Sequence, residues 1–180
     1  MPSMEPDLYL HSHSAERTAE PRASLATWED LAQRASAHQQ QGRRLQALQL
    51  FRQALVVAEA LLRMPGQPVA DTQAHACIAA LVVSHHNLAD LYLHSGAPAT
   101  AAQHLCDAHA SVLQLTTSDA PALSTAAWRH LRETRAALLQ FVRGEEDGGT
   151  SAATPTAIAA CDQALQCLAI VPLLARRSLH

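Results

Sequence analysis

One stretch, from Ser84 to His109, constrains the fold of this chain more than any other. Small and large residues recur in it at three- and four-residue steps on both sides of Gly96, which is the spacing of one helix face. The residues that carry this pattern are Leu88, Ala89, Tyr92, Ala101, Leu105 and Ala108. Glycine commonly ends a helix, and the small residues lie where two helices would have to touch. The stretch therefore predicts two antiparallel helices joined by a turn at Gly96.

A second, weaker copy of this pattern lies upstream. It becomes visible when Gly42 is aligned with Gly96, 54 residues further on. The aligned pairs are Leu31 with His85, Ala35 with Ala89, His38 with Tyr92, Ala47 with Ala101, Phe51 with Leu105, and Ala54 with Ala108. The match is good in the second helix and poor in the first. Two copies in register predict that the helical hairpin occurs at least twice.

These copies resemble the tetratricopeptide repeat, in which a large residue, then L-G-x2-Y, then A-x3-F, marks two packed helices. Ala89 stands where that repeat usually has Gly, and His85 where it commonly has Trp. The resemblance covers about residues 24–116 and implies three antiparallel hairpins in a short right-handed superhelix that binds another protein. Regular repeats recur every ~34 residues. The wider spacing here indicates a variant with elongated helices.

The composition favours an all-α protein of about six helices. Of 180 residues, 48% are hydrophobic but only 3% are aromatic, and Ala and Leu supply most of the apolar content. We predict a flexible tail at 1–22 and a single domain over 23–180, with Trp28 and Trp128 packed inside it. Gly, Ser, Thr and acidic residues predict a flexible loop at 144–155, before the last helix.

Charge and hydropathy restrict the partners. The formal net charge is -3, and the 13 basic residues, all of them Arg, are scattered, without the basic stripe that follows a phosphate backbone, so we expect no nucleic acid partner. The N-terminus lacks a basic start followed by an apolar core, and no window approaches ~18 uninterrupted apolar residues. We therefore expect a cytoplasmic protein with no membrane partner. Eleven histidines, whose pKa is ordinarily near 6.5, predict a net charge that rises on mild acidification.

The cysteines indicate neither a zinc knuckle nor a disulfide framework. Cys77, Cys106, Cys161 and Cys167 lie in apolar helical segments and form no C-x2-C pair. We expect all four to be buried thiols.

The resemblance also implies a binding groove. The positions of this chain that align with groove positions on the third helix are Val83, His86, Asp90, Leu93 and His94. Those on the first helix are Glu29, Ala32, Ser36, Gln39 and Gln40. Independently, His86, Asp90 and His94 follow one another in steps of four, and each step drifts only ~40° around a helix, so they share one side. The carboxylates of Glu29 and Asp90 beside neutral histidines predict a partner segment that carries Lys or Arg.

Histidine-rich segments suggest metal binding as a second hypothesis. His86 and His94 lie about 12 Å apart along a helix, whereas zinc ligands converge within ~2.1 Å of one ion, so one helix cannot complete such a site. The fourth helix offers further candidates: His104, Cys106, Asp107 and His109. Their spacing matches no recognised zinc motif, and we expect His85 and His109 to be core histidines with one hydrogen bond each. We therefore predict no bound metal and no cofactor.

The sequence shows no catalytic motif: it has no nucleophile elbow, no Gly-rich phosphate loop and no H-E-x2-H. We predict a non-enzymatic interaction module, a scaffold or adaptor that holds a peptide or helix of a partner protein in its groove. Two alternatives remain, a histidine-rich metal-binding or metal-responsive protein and a secretion-type chaperone of similar size and mild acidity. A homodimer through an exposed helix face is compatible with all three.

Overall fold

The computed structural model describes residues 23–63, 70–147 and 155–177, and all regular secondary structure in these ranges is helical. The six helices are α1 (Leu25–Gln40), α2 (Arg44–Leu62), α3 (Asp71–Leu93), α4 (Pro98–Leu115), α5 (Pro121–Asp147) and α6 (Pro155–Arg177). The predicted all-α fold with six helices is confirmed. The tail predicted at 1–22 lies outside the described residues.

The loop predicted at 144–155 begins later than expected. Helix α5 continues through Gly144 to Asp147, and α6 already begins at Pro155. Proline is well tolerated in the first turn of a helix, where its missing N–H leaves no bond unmade. The rest of the predicted loop, 148–154, lies outside the described residues.

The two glycines singled out in the sequence end α1 and α3 in the same way. Gly42 and Gly96 have φ angles of 72° and 73°, in the left-handed region that glycine adopts without steric cost. After α1, the N–H of Gly42 donates to the Gln39 carbonyl (3.0 Å) and that of Arg43 donates to the His38 carbonyl (2.9 Å). After α3, the N–H of Gly96 donates to the Leu93 carbonyl (3.0 Å) and that of Ala97 donates to the Tyr92 carbonyl (2.9 Å). Both turns are therefore Schellman motifs, and the two turns aligned in the sequence are equivalent in structure.

Helix α3 lies at the centre of the described structure. Eleven of its 23 residues are buried, and it contacts α1, α2, α4 and α5. Helix α4 packs in turn against α3, α5 and α6. Buried alanines such as Ala89, Ala101 and Ala160 let these helices approach closely, and larger side chains such as Leu138 and Phe141 fill the remaining space.

The two tryptophans differ in their surroundings. Trp28 packs, as expected, against a core cluster that contains Ala80 and Leu81, and its indole N–H donates to Ser84 Oγ at 2.8 Å. Trp128 is 56% exposed, so the prediction that it packs inside the domain is wrong. Its neighbour Ala127 takes the buried position on α5, and one residue along a helix turns the next side chain by about 100°.

Two of the four cysteines are bonded to each other. Cys106 on α4 and Cys167 on α6 form a disulfide, with 5.9 Å between their Cα atoms, so the expectation of a buried thiol is wrong for this pair. The residues are 61 positions apart and meet only because α6 packs on α4. Closing so long a loop stabilises a folded chain by about 2–4 kcal/mol. Cys77 is buried as expected, and burial raises the pKa of its thiol.

Two helices have the length and apolar composition needed to cross a membrane. The mean hydropathy of their best windows is 1.3 in α2 and 1.2 in α3, and 22% and 56% of those windows are buried inside the structure. A core helix of a soluble protein can have the same composition, so the finding is weak evidence for membrane contact. The expectation of no membrane partner stays a prediction.

The positive φ of the turn glycines predicts that alanine changes stability in opposite directions at a turn glycine and at a glycine inside a helix. Gly42→Ala should lower the free energy of unfolding by about 1 kcal/mol, because an added Cβ meets no atom within 4 Å and the cost is the positive φ alone. Gly144→Ala is the matched control, since that glycine lies inside α5 with equally open space. It should raise the free energy of unfolding by about 0.5–1 kcal/mol. Urea unfolding of both variants measures the two signs, and equal effects would contradict this account of the turn.

Candidate functional site

A cavity of about 480 Å³ lies between α3 and α5, with α4 contributing part of its wall. Its lining residues are His86, Ala89, Asp90, Leu93, Ala101, Leu105, Ala137, Gln140, Phe141 and Gly144. A volume of this size is in the range of sites that hold a small molecule or a large side chain. We call this cavity the α3–α5 pocket.

Three of the predicted groove residues line the α3–α5 pocket. His86, Asp90 and Leu93 lie at steps of four and three residues along α3, so they follow one another on one side of that helix. The core residues Leu88 and Leu91 lie on a different side and pack towards α2. The helical period thus separates the residues that hold α3 in the core from those that face the pocket.

The polar side chains that line the pocket are those of His86, Asp90 and Gln140. Asp90 is exposed and is the only charged residue among the described lining residues. Burial lowers the pKa of His86, and the nearby carboxylates of Asp90 and Glu133 only partly oppose that effect, so the imidazole is neutral at pH 7. Its Nε2 is buried and has no hydrogen-bond partner among the described residues. Such an atom costs free energy until a partner reaches it.

The remaining predicted groove residues do not line this pocket. His94 is exposed, and its Nδ1 lies 2.7 Å from the backbone carbonyl of Asp90. Val83 is 40% exposed on α3. The five positions on α1 are Glu29, Ala32, Ser36, Gln39 and Gln40, and none of them is among the lining residues. Their place in a longer groove stays a prediction.

Sequence reasoning did not find the α5 wall of the pocket. Ala137, Gln140 and Phe141 come from the helix that follows the two aligned hairpins, where the sequence has no third clear copy of the pattern. Phe141 is buried. The contact between α3 and α5 that turns it into a pocket wall is a tertiary feature.

Outside the pocket, buried histidines pair with polar partners across helices. His109 Nδ1 lies 2.8 Å from Thr134 Oγ1, and His85 Nδ1 lies 3.3 Å from His104 Nδ1. His85 and His109 are 5% and 2% exposed, so the prediction of core histidines with one hydrogen bond each is confirmed. A further pair joins α3 to α5, with His75 Nδ1 at 3.5 Å from His130 Nε2.

Some of the candidate metal ligands already have other bonding partners, and the rest are available to bind an ion. Cys106 is in the disulfide and His109 is bonded to Thr134, so neither is a ligand as the structure stands. His94 Nδ1 is engaged with the backbone carbonyl of Asp90 at 2.7 Å, so that nitrogen is not available to share an ion with His86. His104 and Asp107 lie together with His85, and their potential ligand atoms are all within 4.8 Å of one another.

A family model described as a protein of unknown function (DUF2753) matches residues 26–172. The match extends from α1 into α6 and includes the pocket and the buried histidine pairs. No curated protein and no solved structure matches the chain.

The buried histidines predict that the fold weakens in mild acid. Burial lowers the pKa of His85 to about 4, and burial also lowers the pKa of His86, His104 and His109. These four depart from the expectation that all the histidines titrate near 6.5, the ordinary value that holds in the unfolded chain. Below pH 6.5 the unfolded state therefore binds more protons than the folded state, and stability is lost as the pH falls towards 4. His85 alone should remove about 3 kcal/mol from the free energy of unfolding over this range.

Urea unfolding between pH 7.5 and 4.5, with a chelator present, measures this loss. A His85→Asn variant is the control, because it lacks the titrating ring, and its free energy of unfolding should fall less steeply with pH. A wild-type stability that stays constant from pH 7 to 5 would contradict the effect of burial described above.

Proposed function

This chain belongs to the family of proteins of unknown function DUF2753, and we propose that it is a non-enzymatic protein-binding module. In this proposal it acts as a scaffold or adaptor, and the α3–α5 pocket receives a basic side chain from a peptide or helix of a partner protein. The observation that carries the proposal is the pocket itself, which is lined by Asp90 and by His86, whose buried Nε2 has no hydrogen-bond partner among the described residues.

The chemistry of the lining favours a Lys or Arg side chain. Asp90 supplies negative charge at the pocket, and the neutral imidazole of His86 adds none of the opposite sign. Leu105 and Phe141 supply apolar surface. Lys and Arg have an aliphatic stem that packs on apolar surface and a cationic end that seeks a carboxylate.

The tetratricopeptide-like arrangement is part of the same proposal. It is supported by the equivalent turns at Gly42 and Gly96 and by burial at every aligned position of the second helices. In such a superhelix the first helices of successive hairpins line one concave face. Glu29, Ser36, Gln39 and Gln40 on α1 would then extend the binding surface beyond the pocket.

We also propose a cytoplasmic location without a membrane partner. The Cys106–Cys167 disulfide is the observation against it, because structural disulfides persist in oxidising compartments. Thiol trapping in intact cells tests the location. A cytoplasmic chain should be trapped with both thiols reduced, and recovery of the oxidised pair would place the protein in an oxidising compartment.

Loss of the pocket carboxylate should weaken partner binding. Partners recovered from native lysate with the wild-type chain are purified, and their affinity is compared between wild type and Asp90→Asn. We expect a loss of about fivefold, the scale of an exposed ion pair. Raising NaCl from about 50 to 300 mM should weaken the wild-type complex and change the variant complex less.

Asp162→Asn is the matched control, because Asp162 is an exposed carboxylate on α6 that does not line the pocket. Circular dichroism confirms that both variants are folded. Equal affinities of the Asp90 and Asp162 variants, or wild-type binding that does not respond to salt, would contradict a basic side chain in the pocket.

A further inference from the structure

Three potential metal ligands meet between α3 and α4, at a place distinct from the α3–α5 pocket. His85 projects from α3 and His104 from α4, with 3.3 Å between their Nδ1 atoms. Asp107 lies three residues after His104, on the same face of α4. One ligand atom from each of the three residues lies within 4.8 Å of the other two.

These separations suit a small divalent ion. A zinc ion binds histidine nitrogen and carboxylate oxygen at about 2.0–2.2 Å, so tetrahedral ligand atoms lie about 3.4 Å from one another. The two Nδ1 atoms are already at that separation. The remaining separations, to the carboxylate of the half-buried Asp107, are no longer than 4.8 Å.

The surroundings hold two of the three ligands in place. The Tyr92 ring stacks on His104, with 5.5 Å between ring centroids and 14° between ring planes. Gln103 Nε2 donates to Asp107 Oδ1 at 2.7 Å, and the Gln163 amide of α6 donates to Gln103 Oε1. One carboxylate oxygen is thus held by an outer partner, which is how metal-binding carboxylates are commonly oriented.

The charges at this place favour a cation on balance. Burial keeps both imidazoles in the neutral form that binds metals, and Asp107 supplies a negative charge. The opposing charge is Arg52, which bonds to Tyr92 Oη at 2.6 Å and acts on His104. The two histidines face each other with 3.3 Å between their Nδ1 atoms, and Asp107 forms no ion pair with another described residue.

We propose that His85, His104 and Asp107 form a binding site for one divalent transition-metal ion, with Zn²⁺ as the reference ion. Two imidazole nitrogens and one carboxylate oxygen are ligands that Zn²⁺ and its neighbours accept. Three protein ligands leave a fourth coordination position for water or for a group brought by a partner. The site joins α3 to α4 and does not depend on the function proposed for the α3–α5 pocket.

Zinc titration of the full-length chain tests this site. After treatment with a chelator and dialysis, wild-type protein is titrated with Zn²⁺ by calorimetry, and the bound metal is counted by elemental analysis. We expect one ion per chain, and His104→Ala and Asp107→Asn should each weaken binding at least tenfold. The Co²⁺ complex of the wild type should show the visible absorption of a four-coordinate N/O site, and both variants should lose it.

His130→Ala is the matched control, because His130 belongs to the other described His–His pair, with His75, on α3 and α5. It should retain the wild-type affinity. If His104→Ala is misfolded by circular dichroism, Asp107→Asn decides, because the amide keeps the size of the side chain and an oxygen for Gln103. Absence of stoichiometric Zn²⁺ in the wild type would overturn the proposal. Unchanged affinity in Asp107→Asn and His104→Ala would also overturn it and would assign the ion to other residues.

Discussion

Close approach of helices through alanine is the constraint on which this structure depends. The chain has few aromatic residues to fill wide gaps between helices, so α3 and α4 must come near enough for small side chains to touch. Ala74, Ala80, Ala89, Ala101, Ala102 and Ala108 are all buried on these two helices. Each adds little buried area, and the apolar gain therefore comes from many contacts of modest size. Helix α3, with eleven of its 23 residues buried, lies at the centre of this packing.

A core of this kind leaves room for histidine. In the aligned pattern His85 takes the place of a large residue on α3 and meets a second imidazole from α4 in place of an apolar partner. The buried His109 has a threonine hydroxyl as its hydrogen-bond partner. Polar groups in low-dielectric surroundings need such partners, so the positions of these rings are tightly specified. The same pairing places His85 and His104 beside Asp107, where the proposed metal site lies.

Much of the fold could be predicted from local signals in the sequence. The features that could not be predicted depend on tertiary contacts. Gly42 and Gly96 marked the turns because a positive φ selects glycine. The helical period placed His86 and Asp90 on one side of α3, together with His94, and Leu93 came from the alignment with the tetratricopeptide repeat. Three features that were missed join residues from different helices. They are the pocket wall that contains Phe141, the Cys106–Cys167 disulfide and the His85–His104 pair. The periodicity within one helix does not predict how neighbouring helices pack against it. Trp128 shows the same limit, since an aromatic residue beside a buried alanine can face outwards.

The most direct test of the binding module is to map where a partner touches it. A photoreactive phenylalanine analogue is placed at Gln140, which lines the α3–α5 pocket, or at Gln114, an exposed residue of α4 that does not. After irradiation in cells, our account predicts an adduct of one defined mass from position 140 only. The partner peptide joined to it should contain Lys or Arg. The same adduct from both positions, or no adduct from position 140, would contradict the proposal that the α3–α5 pocket receives a partner.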